Sequence, residues 1–528
     1  MMGAVFIAAC QQKEDMFTEP YEEGKAPLGI VMNPAQTPIP ASGLPGITVT
    51  VKATGLDAYK DRVVFRINGE PAQITSITDT EIKATVPDNA STGIISLTVD
   101  DVVVFGPKFD VVGKVNLDPT FQATRGANGQ VATVYNTPDG KQLLVGNFTN
   151  YDNKGIIRPI NRIVRTFPDG TYDASLRTGR GANGFLSSVI KIGDKLFIGG
   201  SFSGYDQRGE NISNITRLNE NGTIDTMGIS TFRRPDQSDT IKYFPTFNGG
   251  FHGGGIGQVY EQSGKILVTG SFRYYVTRTY DQPNKLEVRD TVIIDSTEVR
   301  QIARLNTDGT LDKGYRFSTA SNKSLTGGNG NFGSIYHAEG AQSGKLFLYG
   351  TFTSFDDQPI KYLVRLNADG TIDETFNASQ SGPDFEVGTA TYNPVTKKYV
   401  ITGNFRTYNG KPSHRIAVLN EDGSLDESFI PKEFLGGGVG VSKQLNDGKI
   451  VVTGSFKTYG GIARNGFMIL DSNGNLAPGY NATGLFGGFI NNIYETQSAD
   501  EKRALLLVGS FWQFNSQPVN NIIRVTLD

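Results

Sequence analysis

A glycine and a phenylalanine two residues apart, at the end of an apolar run, recur along this chain: Gly146/Phe148, Gly200/Phe202, Gly270/Phe272, Gly350/Phe352, Gly403/Phe405, Gly454/Phe456 and Gly509/Phe511. Three residues beyond each Phe stands another aromatic: Tyr151, Tyr205, Tyr275, Phe355, Tyr408, Tyr459 and Phe514. A second strand-like run follows in each unit, as in "IARLNTDGTLD" (302–312) and "LVRLNADGTID" (363–373). A unit repeated in this way buries its apolar side only against its neighbours, so the units must stack or close into a ring. Each holds three or four strands, the content of a propeller blade. The recurring aromatics are therefore expected in the sheet-to-sheet core, where each buried Phe contributes about 1.5–3 kcal/mol.

The turn inside the unit can be read residue by residue. Arg304 and Asp312 are separated by a strand end and the loop Thr307-Asp308-Gly309. A three-residue hairpin loop ends on a left-handed residue, which favours Gly. That loop pairs Asn306 with Thr310 and sets Arg304 opposite Asp312. Arg165/Asp173, Arg217/Asp225 and Arg365/Asp373 share the spacing. The sixth unit has Ile469 and Ala477 at these places, and the fifth sets Val418 against Asp426. Such pairs are cross-strand supports of about 0.2–1 kcal/mol each, not catalytic dyads. The last unit stops at "NIIRVTLD", leaving Arg524 without a partner downstream, while "KVNLDPTF" (114–121) is an orphan copy of the outer strand. If that early segment closes the ring, Asp118 faces Arg524 and no open edge remains. The prediction is an all-β chain ending in a seven-bladed β-propeller (114–528) closed by an N-terminal strand. The pattern also resembles the delta-60 repeat propeller family, a likeness that implies fold rather than function.

Before the repeats, "ITVTVKA", "RVVFRING", "EIKATVP" and "GIISLTVDD" read as short strands of a β-sandwich over 27–113. The stretch from "VVFRING" to "NASTG" resembles the IPT/TIG type of immunoglobulin-like domain, a spacer or binding module. Residues 1–26 read as a signal remnant and flexible tether. Cys10 is the only cysteine, which excludes an internal disulfide. "MMGAVFIAAC" resembles the end of a bacterial lipoprotein signal. The resemblance implies lipidation of Cys10, and "CQQKED" resembles the surface-export signal of Bacteroidetes lipoproteins.

The formal net charge of −3 and pI near 5.8 give no basic footprint for nucleic acid. Gly-rich runs such as "GGNGNFG" precede strands rather than helices and are not read as phosphate loops. "NTDGTLD" is better explained as a hairpin than as a Ca²⁺ loop, and three His with one Cys make a closed zinc site unexpected. No Ser/His/Asp motif stands out, and no cofactor is expected.

Function is sought where the repeat fails. Phe272 to Arg304 spans 32 positions where the last four units have 13; Asp225 to Gly270 spans 45 where Asp426 to Gly454 spans 28; Asp312 to Gly350 spans 38. All three fall on connections expected on one face, around the third blade. They carry Phe232, Arg234, Tyr243, Phe251, His252, Tyr274 and Tyr280, and Trp512 is expected on the same face. Flat rings beside polar groups suit a sugar, with its apolar C–H faces and hydroxyl edges. These eight residues are the candidate ligand-binding set. The whole resembles surface glycan-binding lipoproteins of starch-utilisation-type systems. That likeness implies a lipid-anchored outer-membrane protein at the cell surface, non-catalytic, which captures polysaccharide or oligosaccharide beside a TonB-dependent transporter. Two alternatives stand beside it: a propeller glycoside hydrolase or lyase acting through carboxylates or His252, and a protein-interaction or adhesion module of a surface complex.

Overall fold

The computed structural model describes residues 28–231, 240–283, 285, 289–378 and 381–528. The described chain is built on strands, and its only helical element is a single 3₁₀ turn at Asp57–Tyr59. The first domain is a β-sandwich made by one continuous eight-stranded sheet folded over its core, since Val64–Ile67 also pairs with Glu70–Ile77. Thr48–Thr54 pairs with Glu81–Thr85, which pairs with Glu70–Ile77. Val64–Ile67 pairs with Gly93–Val99, which pairs with Val102–Val111. Alternation sends Val49, Val51 and Ala53 inward from the first of these strands, onto Phe65, Ile82, Ile95, Leu97 and Phe109.

The sandwich is docked onto the second domain. Thr92 N donates to Ala482 O at 2.8 Å, Lys114 N to Gly479 O at 2.8 Å, and Ala463 N to the Glu70 carboxylate at 2.7 Å. Ala482 packs into the sandwich core itself.

From residue 131 the same antiparallel meander recurs, over 131–166, 185–219, 256–305, 332–366, 387–419, 439–470 and 487–526. The repeated glycine has a local cause. A Cβ at Gly146 would lie 2.1 Å from the carbonyl oxygen of Gln130 on the preceding strand, and Gly200, Gly350, Gly403 and Gly509 are blocked in the same way at 2.1–2.3 Å. In most sheets the ladder slips at this point, beside Val131, Leu186, Ile256, Val387, Val439 and Ile490. A carbonyl lies so close to the neighbouring strand that only a residue without a side chain fits opposite; a bulge accompanies it in six sheets, while Gly350 sits in an unbroken ladder. The Phe that follows is buried in every unit.

The second aromatic anchors the hairpin. Tyr151, Tyr205, Tyr408 and Tyr459 donate their hydroxyls to Gly170, Gly222, Gly423 and Gly474 at 2.6–2.8 Å. These glycines close the Asp-Gly or Asn-Gly turns with φ between +86° and +91°. Phe355 has no hydroxyl, and in its unit Arg316 donates to Gly370 O at 2.8 Å while its guanidinium lies over the Phe355 ring.

Arg165, Arg217, Arg304 and Arg365 each hold their Asp at 2.7 Å. The support is wider than a pair. Lys141, Lys265 and Lys345, at or just before the start of the middle strands, reach the same carboxylates at 2.7–2.9 Å. In the fifth unit Lys398 reaches Asp426 at 3.0 Å, which is how that turn keeps its charge contact opposite Val418. The sixth turn has neither charge because it is covered: Ile469 and Ala477 are buried in a cluster with Val115, from the segment that leaves the sandwich. That segment continues as the strand Asn116–Leu117, which pairs with Ile522–Thr526, and Asp118 bonds Arg524. The last meander also packs on the first: Asn492 Nδ2 donates to Ala132 O at 2.9 Å, and Leu506, Val508 and Ile522 share a cluster with Val131 and Val134.

Candidate functional site

Two places on the second domain, at its axis and near its irregular parts, have room for a ligand. One is the axis. The first strands of all these meanders line a cavity of about 690 Å³. Much of its polar lining joins neighbouring sheets: Thr133 bonds Ser187 O, Ser187 bonds Ile256 O, Tyr260 bonds Ser334 O, Thr391 bonds Ser442 O, and Lys443 bonds Ile493 O, at 2.6–2.9 Å. These donors are already engaged in the scaffold.

The other place is the irregular region around the third meander, where the structure brings the three long connections together. Gly249–His252, Tyr274–Pro283 and Arg289–Glu298 form an extra three-stranded sheet. The hairpin of Thr226–Thr231 and Thr240–Pro245 joins it through Phe244, whose ring stacks on Tyr280 at 4.3 Å, and through the Tyr280 hydroxyl, which donates to Pro245 O. The hairpin of Phe317–Ser318 and Lys323–Ser324 joins from the other side: Arg300 N donates to Ser324 Oγ, and Lys323 reaches Glu298 at 3.1 Å.

Strand alternation and the added hairpin divide the aromatics of this patch into two sets. Phe251 faces Tyr275 across the ladder, and both rings are buried with Phe272. Tyr280 is 9% exposed. The expectation that Phe251 and Tyr280 contact a ligand is corrected, because both rings are buried, for different reasons. Phe251 faces the scaffold, although it also borders the cleft beside His252, while Tyr280 is covered by Phe244 of the added hairpin. Arg278, 4% exposed, shares the strand face of Tyr274 and ties the extra sheet down by donating to Gly249 O and Ser213 Oγ.

The outward set is a row. His252 is paired with Tyr274, and Tyr274 with Glu298, so the three side chains stand side by side on one face. Tyr274 is 38% exposed, His252 is exposed, and the Arg273 guanidinium lies 5.8 Å from the Tyr274 ring centre. Glu298 is ringed by cations: Arg300 at 2.6 Å, Lys323 at 3.1 Å and Arg273 at 3.7 Å. Hydrogen bonds from Arg300 and Lys323 hold its carboxyl below the usual range. Partial burial, with Arg278 nearby, lowers the His252 pKa and favours neutral imidazole. At neutral pH the row therefore offers an ionised acceptor, a flat ring and a neutral imidazole. A polar cleft of about 430 Å³ opens beside His252, walled by Asn183, Ser203 and Asn214.

The remaining candidates are dispersed. Tyr243 is 58% exposed on the added hairpin, its ring across Gly228. Trp512 is 65% exposed, but it sits on the last meander, against Gly487. Phe232, Arg234 and Cys10 lie outside the described residues. Sequence reasoning missed Glu298, Arg300 and Lys323, which belong to the patch, and Phe385 and Phe489, which are half-exposed at the entry of inner strands. Glu298 was within reach, since it ends the strand that pairs with Tyr274.

Comparison with known proteins bears on the fold. Residues 194–226, 290–315, 341–376, 397–429 and 445–479 match the family described as "Domain of unknown function (DUF5122) beta-propeller". The second domain is a β-propeller. Residues 6–107 match "Domain of unknown function (DUF5008)". No curated protein matches the sequence. Among solved structures, the chain is similar to an auxiliary nutrient binding protein from Bacteroides thetaiotaomicron, at 11% identity over 94% of this chain and 98% of that one, with a TM-score of 0.33. It is similar to another of that description from Bacteroides ovatus, at 12% identity over 94% and 99%, with a TM-score of 0.26. The WD40 propeller domain of Doa1 matches at 12% identity over 78% of this chain and 96% of that one, with a TM-score of 0.36.

Proposed function

We propose that this chain is a non-catalytic glycan-binding lipoprotein of the cell surface. Cys10 carries the lipid anchor in the outer membrane, the immunoglobulin-like domain is the spacer, and the propeller is a seven-bladed wheel closed by Asn116–Leu117. It captures polysaccharide or oligosaccharide beside a TonB-dependent transporter. The observation that carries this reading is the outward row His252–Tyr274–Glu298, built where three insertions converge. A ring flanked by an ionised carboxylate and exposed cations matches a pyranose, which offers an apolar face and a rim of hydroxyls. Glu298, held ionised by its cations, serves as a hydrogen-bond acceptor rather than a proton donor.

Affinity electrophoresis against a panel of purified polysaccharides, followed by calorimetry, tests the proposal. At least one glycan should retard the protein, and Tyr274→Ala should weaken that binding tenfold or more. The reading fails if no glycan binds, or if Tyr274→Ala and Glu298→Gln both leave affinity unchanged. Release of sugar products would replace it with a hydrolase or lyase.

A further inference from the structure

Among the described residues, three of the five buried arginines face carboxylates. Arg365 and Arg524 hold Asp373 and Asp118, and Arg316 holds Asp356 at 2.6 Å. Arg278 has a serine hydroxyl and a backbone carbonyl instead, and Arg464 has still less. It follows the short strand Ile462–Ala463 and is 2% exposed, yet among the described residues no carboxylate lies within ion-pair distance of it. Nη1 donates to Asn89 O at 3.1 Å and to Ala463 O at 2.6 Å, while Nε has no acceptor. The carboxylate that influences it most is Glu70, and one Glu70 oxygen is engaged by Ala463 N. Burial pushes the guanidinium pKa down to about 10, with Glu70 opposing. A cation enclosed without a counter-charge is unfavourable unless something supplies one.

Beside this guanidinium is space. A crevice of about 590 Å³ runs between the two domains, with Arg464 in its wall. The sandwich contributes Leu44 and Val112, and the propeller Leu476 and Pro478, so much of the lining is apolar. Its charged members are Arg464, Lys114 and Asp88, which leaves one net positive charge. The volume falls in the range of small-molecule sites.

We propose that this interdomain crevice binds a small organic monocarboxylate with an apolar body, the carboxylate paired with the buried Arg464 and the body against Leu44, Val112 and Leu476. The guanidinium makes only two hydrogen bonds, both from Nη1 to backbone carbonyls, so its fork keeps donor capacity for such a group, which supplies the missing counter-charge. The site lies on the sixth meander, apart from the row on the third, and is independent of glycan capture.

The test uses the full chain with hexanoate as probe and hexanamide as its neutral isostere, read by calorimetry. Hexanoate should bind and hexanamide should bind at least tenfold more weakly. Arg464→Met should abolish hexanoate binding. Val112→Trp, at a position 46% exposed on the crevice wall, should fill the crevice and also abolish it. Absence of hexanoate binding overturns the proposal. So does equal binding of the amide, or binding that survives Val112→Trp. Should Arg464→Met fail to fold, Val112→Trp and the amide decide alone.

Discussion

The fifth meander and the third start from the same repeat and use their aromatics in opposite ways. In the fifth, Phe405 and Tyr408 both point inward, and the Tyr408 hydroxyl ties the turn at Gly423. In the third, Phe272 and Tyr275 keep those roles, but the ladder continues outward for several residues. The position just before Tyr275 is a ring here but Thr407 in the fifth meander, and Tyr274 stands beside His252 and Glu298 on the face opposite Tyr275. A pleated strand sends neighbouring positions to opposite faces. Rigid scaffold and exposed platform are thus two sides of one strand, separated by a single position.

Substitutions at matching depths should separate the two regions. The largest effect is expected at Gly403, where a Cβ would lie 2.2 Å from Glu386 O. Gly403→Ala should cost about 1–3 kcal/mol in urea unfolding, the usual range for overpacking; an effect below this would show that the bulge relaxes freely. A smaller and pH-dependent effect is expected at Asp373. Burial pushes its carboxyl up, but hydrogen bonds from Lys345, Thr375 and Arg365 outweigh that and hold it well below the ordinary range. A carboxylate depressed on folding stabilises the fold above the unfolded pKa, and the stabilisation is lost as pH falls through the folded value. Wild-type stability should decline from about pH 4 downward, and Asp373→Asn should be less stable at pH 7 while losing less between pH 4 and pH 2. The smallest effect belongs to the platform. Tyr274→Ala should change stability by about 0.5 kcal/mol or less, while removing the ring on which the proposed glycan contact depends. Instability of Tyr274→Ala comparable to that of Gly403→Ala would dissolve the distinction between the regions.

The scaffold was legible because its signals are local and repeated. Arg304 and Asp312 declare their pairing through a fixed spacing and a Gly that the turn requires, and Asp118 could be matched to Arg524 because each lacked a partner nearby. The lysines that complete these contacts were not legible, since Lys141 and Lys345 stand just before another strand and carry no mark in the motif. The platform was only half legible. Insertion lengths pointed to the region, but which rings face outward depends on the register between Gly249–His252 and Tyr274–Pro283, set by pairing distant segments that occur once. Counting aromatics therefore placed Phe251 and Tyr280 with Tyr274; the register sets Phe251 on the opposite, buried face, and Phe244 of the added hairpin covers Tyr280.

The outer strand of the last meander comes from the segment that leaves the sandwich, and this has a mechanical consequence. Tension on the amino-terminal domain would reach the propeller at its rim, through two paired residues, the clasp of Asp118 and Arg524, and the docking bonds at Ala482 and Gly479. The inner strands would be spared until that seam had opened.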